Sequence, residues 1–460
     1  MISATRRFIA AAIALTVLLS FGAPHAWALE IKRMQLSNGA TLLVSEQHQL
    51  PMVTGAIAFD AGSRRDPAGK QGLAQLTAQS LMQGTKSLSA DDFNQKVDFM
   101  GSAIGIGPSR DFSIATFTSL KKYQDATLHL LAQILQDPGL RDADIQRKQA
   151  EQIASIKSSE EAPGYTANVA FTRMLFGDTP YGHPTTGSSE AVAKLKPADV
   201  REFYHQYYKL GSAVIAVAGD VNAEQIKAAL EKELAGLQGA VAPQAEPPAP
   251  VVPPGIHTQL IDRNVTQANL FLGSGGVARS NPDYYKLQVM NYILGGGGFA
   301  SRLMKVVRSK GGLAYSIASG FQAGKFPGAF IIVLQTKNTN ANQAIKLILE
   351  QLHEIQRKPV TDTELSQAKR YLIGSFPLRL DRQGEIVGFM IETEIYGLGL
   401  DYAEHYPKII AAISTADVQA VAQKYLHPDA IDLVAVANQA EAKISVASVE
   451  PQKQTSAADH

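Results

Sequence analysis

Gln75, Ala78 and Gln79 stand at i, i+3 and i+4 within GLAQLTAQSLMQGT, residues 72–85, so a helix there carries them on one face. Side chains one helical turn apart are how helices build metal sites, with two imidazoles as ligands and a neighbouring carboxylate to move a proton. Two carboxamides and a methyl group do neither. The ten histidines offer no substitute: the nearest pairs, His183/His205 and His405/His427, are far beyond one helical turn apart. No Gly-x-Ser-x-Gly elbow supports a hydrolase serine. The run GGGGFAS, 295–301, lacks the Lys-Ser or Lys-Thr of a phosphate loop and follows a helical pattern, YYKLQVMNYIL. Gly295, Gly296, Gly297 and Gly298 therefore read as a helix exit or as a surface that a peptide backbone can approach. Glu160 and Glu161 read as a solvated helix end.

The elements that must position these residues mix two periods. Residues 40–45, 55–62, 112–119 and 213–219 read as strands by length and alternation. Residues 125–137, 142–161 and 197–208 read as amphipathic helices, the first two with acidic starts. Strands come in groups ahead of paired helices, a pattern that predicts α+β rather than a doubly wound sheet.

The pattern occurs twice. ADVREFYHQYYKLGSAVIAVAG (198–219) matches ADVQAVAQKYLHPDAIDLVAVAN (416–438), AFDAGSRRDP (58–67) matches LGSGGVARSNP (272–282), and DADIQRKQAEQI (142–153) matches DTELSQAKRYLI (362–373). Blocks recurring in order at nearly constant offset mark an internal duplication. Two homologous domains are expected at 29–236 and 255–447, joined by a Pro-rich, semi-rigid linker at 237–254. A disordered tail is expected at 448–460. Residues 1–28 carry Arg6 and Arg7, an apolar run from Phe8 to Phe21 and the small-x-small site Ala26-Trp27-Ala28. That is a cleaved signal peptide, with a mature start near Leu29, rather than a membrane anchor. The chain has 43 Lys plus Arg against 42 Asp plus Glu, which gives no basic excess to attract nucleic acid. It has no cysteine, which excludes disulfides, thiolate catalysis and cysteine-bound zinc.

The opening stretch resembles the inverted zinc motif of the pitrilysin/insulinase metallopeptidases, in particular their bacterial and mitochondrial processing-peptidase branch. The family reads Gly-x-Ala-His-x-x-Glu-His and then Gly-Thr, whereas this chain reads Gly72-Leu73-Ala74-Gln75-Leu76-Thr77-Ala78-Gln79 and ends at Gly84-Thr85. The resemblance puts Gln75 and Gln79 at the ligand positions and Ala78 at the general base. On the later helix the third ligand, a glutamate, falls at Ser155, and the glutamate seven residues before it falls at Lys148. Glu151 stands nearby without companions.

A second signature survives. SRLMKVVRSKGGLAYSIAS, 301–319, matches the family's second-domain stretch, in which the residues corresponding to Arg308 and Tyr315 bind substrate backbone and steady the oxyanion opposite zinc. FGDTPYGHPTTGS, 176–188, fits the family as well. The resemblance implies two domains in a clamshell, each a mainly antiparallel sheet flanked by helices. It also implies no zinc in this chain. The implied role is the zinc-free subunit of a periplasmic heterodimeric metalloendopeptidase acting on peptides or unfolded proteins. A zinc-bearing homologous partner would supply the metal, and this chain would supply Arg308, Tyr315 and the Gly295–Gly298 loop. The alternative is an inactive peptide-binding or structural assembly subunit. The sequence leaves open the partner, the substrate and the export route.

Overall fold

A computed structural model describes residues 29–445. The expected signal peptide and the expected tail lie outside these residues. Among the described residues, no helix is long and apolar enough to cross a membrane.

Two sheets organise residues 31–445. The first contains β1 (Lys32–Gln35), β2 (Thr41–Glu46), β3 (Met52–Phe59), β4 (Ala103–Pro108), β5 (Ser113–Leu120) and β6 (Val214–Gly219), in the order β1-β2-β6-β3-β5-β4. The second contains β7 (Gly255–Asp262), β8 (Gln267–Gly275), β9 (Ala314–Gln322), β10 (Ala329–Lys337) and β11 (Ala430–Ala437), in the order β7-β11-β8-β10-β9. Without β1 the two orders are identical. In each sheet one pair is parallel, β2 with β6 and β7 with β11, and every other pair is antiparallel. The class is α+β, and the duplicated blocks fall on equivalent elements. Sequence periodicity did not identify β4, AIGIGP, because two glycines and a proline interrupt its apolar alternation.

The helices of the first half are α1 (Leu73–Leu81), α2 (Ala90–Phe99), α3 (Gln124–Gln136), α4 (Asp142–Glu160), α5 (Pro163–Phe176), α6 (Ser189–Ala193), α7 (Pro197–Tyr207) and α8 (Ala223–Glu233). Those of the second are α9 (Tyr284–Asn291), α10 (Ala341–Arg357), α11 (Asp362–Ser375), α12 (Gln383–Ile395), α13 (Tyr402–Ala412), α14 (Thr415–Tyr425) and α15 (Gln439–Ala442). Leu76 and Leu81 of α1, Leu131 and Leu135 of α3, and Phe203 of α7 join Ile57 and Phe117 of the sheet in the first core. Burial of each such side chain contributes roughly 1.5–3 kcal/mol.

Each half also lends a helix to the other. Ala167, Phe171 and Leu175 of α5 form a core with Phe271, Ile331, Val434 and Val436 of the second sheet. In return, α12 lies across the first sheet. The Gln383 carboxamide at its start donates to the Met52 carbonyl at 3.3 Å and accepts from the Thr54 hydroxyl at 3.2 Å. At its end Glu394 takes a fork of bonds from Arg33, at 2.8 and 3.0 Å.

The equivalent arginines of the duplicated Gly-Ser-Arg and Val-Ala-Arg blocks are both buried. Arg64 is held by Asp60 and by Gln244 of the linker. Arg279 reaches Glu392 at 3.2 Å and lies 4.0 Å from the Tyr284 ring centroid. At the junction of the halves the Tyr181 hydroxyl donates to Asp111 at 2.5 Å. The backbone N–H of Lys325 donates to the other Asp111 oxygen at 2.9 Å, so the β9–β10 hairpin is fastened to the first half.

Candidate functional site

Helix α1 is positioned from its first turn. Gly72 sits at φ +94°, and a Cβ there would stand 2.6 Å from the Thr186 carbonyl oxygen, so only glycine serves. The Asp66 carboxylate accepts from the N–H groups of Gly72 and Ala74, both at 2.7 Å, and satisfies the open helix start. Burial pushes the Asp66 carboxyl up to about 7, against those two N–H groups, which favour the anion. From α4, the Gln152 carboxamide donates to the carbonyls of Gly72 at 3.1 Å and Thr186 at 2.8 Å. At the exit, Gly84 adopts φ +87° and the Thr85 hydroxyl accepts from the N–H of Leu88 at 2.9 Å. The Gly-Leu-Ala entry and Gly-Thr exit thus have structural work that needs no metal.

Between them, Ala78 is fully buried, while Gln75 and Gln79 are half-buried. The oxygen of the Gln79 side-chain carboxamide is buried with no hydrogen-bond partner among the described residues, as are the hydroxyls of Thr77 and Ser80. Ser155, on α4, is exposed. Lys148 and Glu151 are spent on each other at 2.7 Å, with Arg147 adding a second pair to Glu151 at 3.1 Å. Zinc does not fit these residues. Neutral carboxamides are poor ligands beside imidazole, a methyl group has no lone pair, and Ser155 supplies no carboxylate. Among the described residues no group of three or more His, Asp or Glu side chains is arranged to hold a metal.

The second signature is arranged differently. Residues 292–296 and 304–310 form π-helical turns, and Gly312 at φ +61° ends the second and redirects the chain into β9. Its N–H donates to the Arg308 carbonyl at 2.9 Å, closing the turn. That turn brings Arg308 beside Tyr315 despite their separation in sequence. The guanidinium carbon lies 5.4 Å from the Tyr315 ring centroid and 4.6 Å from that of Phe299. Both rings face solvent, Tyr315 at 78% and Phe299 at 70% exposure. Two large aromatics this exposed thus flank a cation with no carboxylate paired to it among the described residues.

Ser301-Arg302-Leu303 anchors that surface. The Ser301 hydroxyl donates to the Gly298 carbonyl at 2.7 Å, and Leu303 is buried. Arg302 forks onto Glu364 at 2.7 and 2.9 Å, and this pairing holds the Glu364 carboxyl down to about 2. Glu364 also closes the capping box of α11 with Thr361.

Of the four glycines, Gly295, Gly296 and Gly298 line a cavity of about 440 Å3 together with Met304, Ile317 and Val333. A Cβ on Gly295 would meet the Ser319 hydroxyl at 2.4 Å, so this glycine lets the turn lie against β9. Sequence reasoning missed Phe299. Its signal was an aromatic placed directly after four glycines, where no core surrounds it.

Residues 42–188 match the family described as insulinase (peptidase family M16), and residues 194–372 match the peptidase M16 inactive domain. The chain belongs to the M16 peptidase family. A Helicobacter pylori protein called non-peptidase homolog YmxG is 28% identical over 74% of this chain and 78% of its own. An uncharacterized zinc protease of Streptomyces coelicolor is 26% identical over 86% of this chain and 87% of its own. Among solved structures, a peptidase M16 inactive domain from Pseudomonas fluorescens superposes with a TM-score of 0.83 at 29% identity, covering 89% of this chain and 98% of that one.

Proposed function

We propose that this M16 chain is the zinc-free, substrate-binding subunit of a heterodimeric zinc metalloendopeptidase of the periplasm, inactive alone. The observation that carries the proposal is the juxtaposition of Arg308, Tyr315 and Phe299 on an exposed face, in a chain whose zinc positions hold Gln75, Ala78, Gln79 and Ser155. A homologous partner would carry the zinc. Arg308 and Tyr315 would donate to the carbonyl oxygen of a scissile peptide as negative charge develops on it. The Gly295–Gly298 segment would let an extended peptide backbone come close. Substrates would be peptides or unfolded proteins, because an extended backbone is what such a face can hold. The match to the M16 inactive domain and the name of one relative, non-peptidase homolog YmxG, support an inactive member, although other relatives are named zinc proteases, and the apolar amino-terminal segment supports export.

The test is co-purification from the native source, followed by metal analysis and peptide cleavage. The chain alone should hold no stoichiometric zinc and cleave nothing, whereas the complex with its partner should hold zinc and cleave peptides. Stoichiometric zinc on the isolated chain would overturn the proposal. Cleavage by the complex that is indifferent to Arg308→Ala would favour an inactive assembly subunit.

A further inference from the structure

A second pocket, of about 460 Å3, opens at the junction of the two halves. The first half supplies Arg110, Phe112, Tyr181 and Thr185 to it, and the second supplies Gly324 and Tyr396. The volume suits a small organic molecule. Its chemistry is set by Arg110. The guanidinium carbon lies 4.8 Å from the Tyr181 ring centroid and 5.9 Å from that of Phe176, so aromatic surface supports it. Among the described residues no carboxylate forms a salt bridge with it. Asp111, its chain neighbour, is committed elsewhere: one oxygen takes the Tyr181 hydroxyl and the other takes the Lys325 N–H. The surroundings are short of negative charge. Arg64, Arg65 and Lys325 share the carboxylates of Asp60 and Asp111, and Asp111 is the one carboxylate that acts on Arg110. Asp60 is itself paired with both Arg64 and Arg65. Burial pushes Arg110 and Lys325 below their ordinary values, and Asp111 offsets this only in part.

We infer that this pocket binds a small oxyanion, with Arg110 as its principal ligand. A guanidinium supported on an aromatic ring is well suited to bidentate recognition of a carboxylate or phosphate. Because both halves line the pocket, the bound anion bridges them and stabilises their docked arrangement. The carboxylate can come from a free metabolite-sized acid or from the C-terminus of a peptide.

The experiment is thermal unfolding of the purified chain at constant ionic strength, with chloride as the matched control. One arm titrates succinate and inorganic phosphate. A second arm titrates a short peptide with a free C-terminus and the same peptide as its C-terminal amide. The expected result is a saturable rise in Tm of a few degrees beyond chloride. A response to the free-acid peptide but not to its amide, at lower concentration than succinate needs, assigns the site to peptide termini. The reverse ranking assigns it to free acids. Arg110→Met keeps the stem against Tyr181 and should remove the response. Arg110→Lys keeps charge without the fork and should weaken it at least tenfold in midpoint concentration. A wild-type chain that responds no more than to chloride overturns the site. So does an equal response in Arg110→Lys, the variant that decides the matter should Arg110→Met fail to fold.

Discussion

The face of α1 and the segment from Phe299 to Tyr315 are the two places on which the proposed function rests, and they differ in what their frameworks carry. On α1 the framework is intact, from the Asp66 cap and the Gly72 turn to the Gly84-Thr85 exit, yet the side chains have become carboxamides and a methyl group. In the second segment the framework and the side chains are both present, with Arg308 flanked by two exposed rings. A helix can lose its chemistry and keep its place, because Leu76, Leu81 and the capping bonds hold it from the opposite side. A half-buried arginine and an exposed tyrosine gain nothing comparable from their mutual contact, since a surface cation–ring contact contributes only about 0.5–1 kcal/mol.

Four experiments break or sharpen this contrast. The largest expected effect belongs to Arg308→Ala in the complex: peptide cleavage should fall roughly 100- to 1,000-fold, the usual loss for one oxyanion donor. The Tm of the isolated variant should stay within about 2 °C of wild type, and a larger fall would mean that Arg308 serves the fold. Next comes restoration of the family motif by Gln75→His, Ala78→Glu and Gln79→His together. Ala78 is fully buried, so a carboxylate there should destabilise the chain by about 3 kcal/mol in denaturant titration. Stoichiometric zinc should not appear without a further Ser155→Glu change. Zinc bound by the triple variant would show that the helix alone encodes the site.

Glu364→Gln should cost about 2 kcal/mol, because it leaves Arg302 without its charged partner. The same pair sets an acid limit. Glu364 titrates near 2 in the folded chain, below its ordinary 4.5, so its contribution is fully present above pH 4.5 and is lost as pH falls through 2. The variant's stability should therefore converge on wild type over that window, and parallel curves would refute the assignment. Smallest is Phe299→Ala. Its ring is exposed, so stability should move by less than about 0.5 kcal/mol, while the KM of the complex should rise. An unchanged KM would remove Phe299 from the contact surface.

The architecture was legible because its signals are local and doubled. The strands at β2, β3, β5 and β6 and the helices α3, α4 and α7 announce themselves by period, and their second copies repeat the message. β4 was not legible, because Gly105, Gly107 and Pro108 hide an edge strand among loop residues. At the site, the blank face of α1 could be read from spacing alone. The meeting of Arg308 with Tyr315 depends on a π-helical turn and a positive-φ glycine, which no periodicity encodes. The guanidinium of Arg110 was missed for a related reason: its surroundings come from four distant segments, and only the folded chain brings them together.

The exchange of α5 and α12 carries a consequence of its own. Each sheet is covered in part by a helix from the other half, so neither half alone covers its whole sheet. Cutting the Pro-rich connection would leave a clasped pair of fragments rather than two free globules, and each fragment expressed by itself would present an uncovered β-surface to solvent. The connection at 237–254 therefore joins two halves that hold each other by their helices as well, and through Gln244 it adds a bond of its own to Arg64.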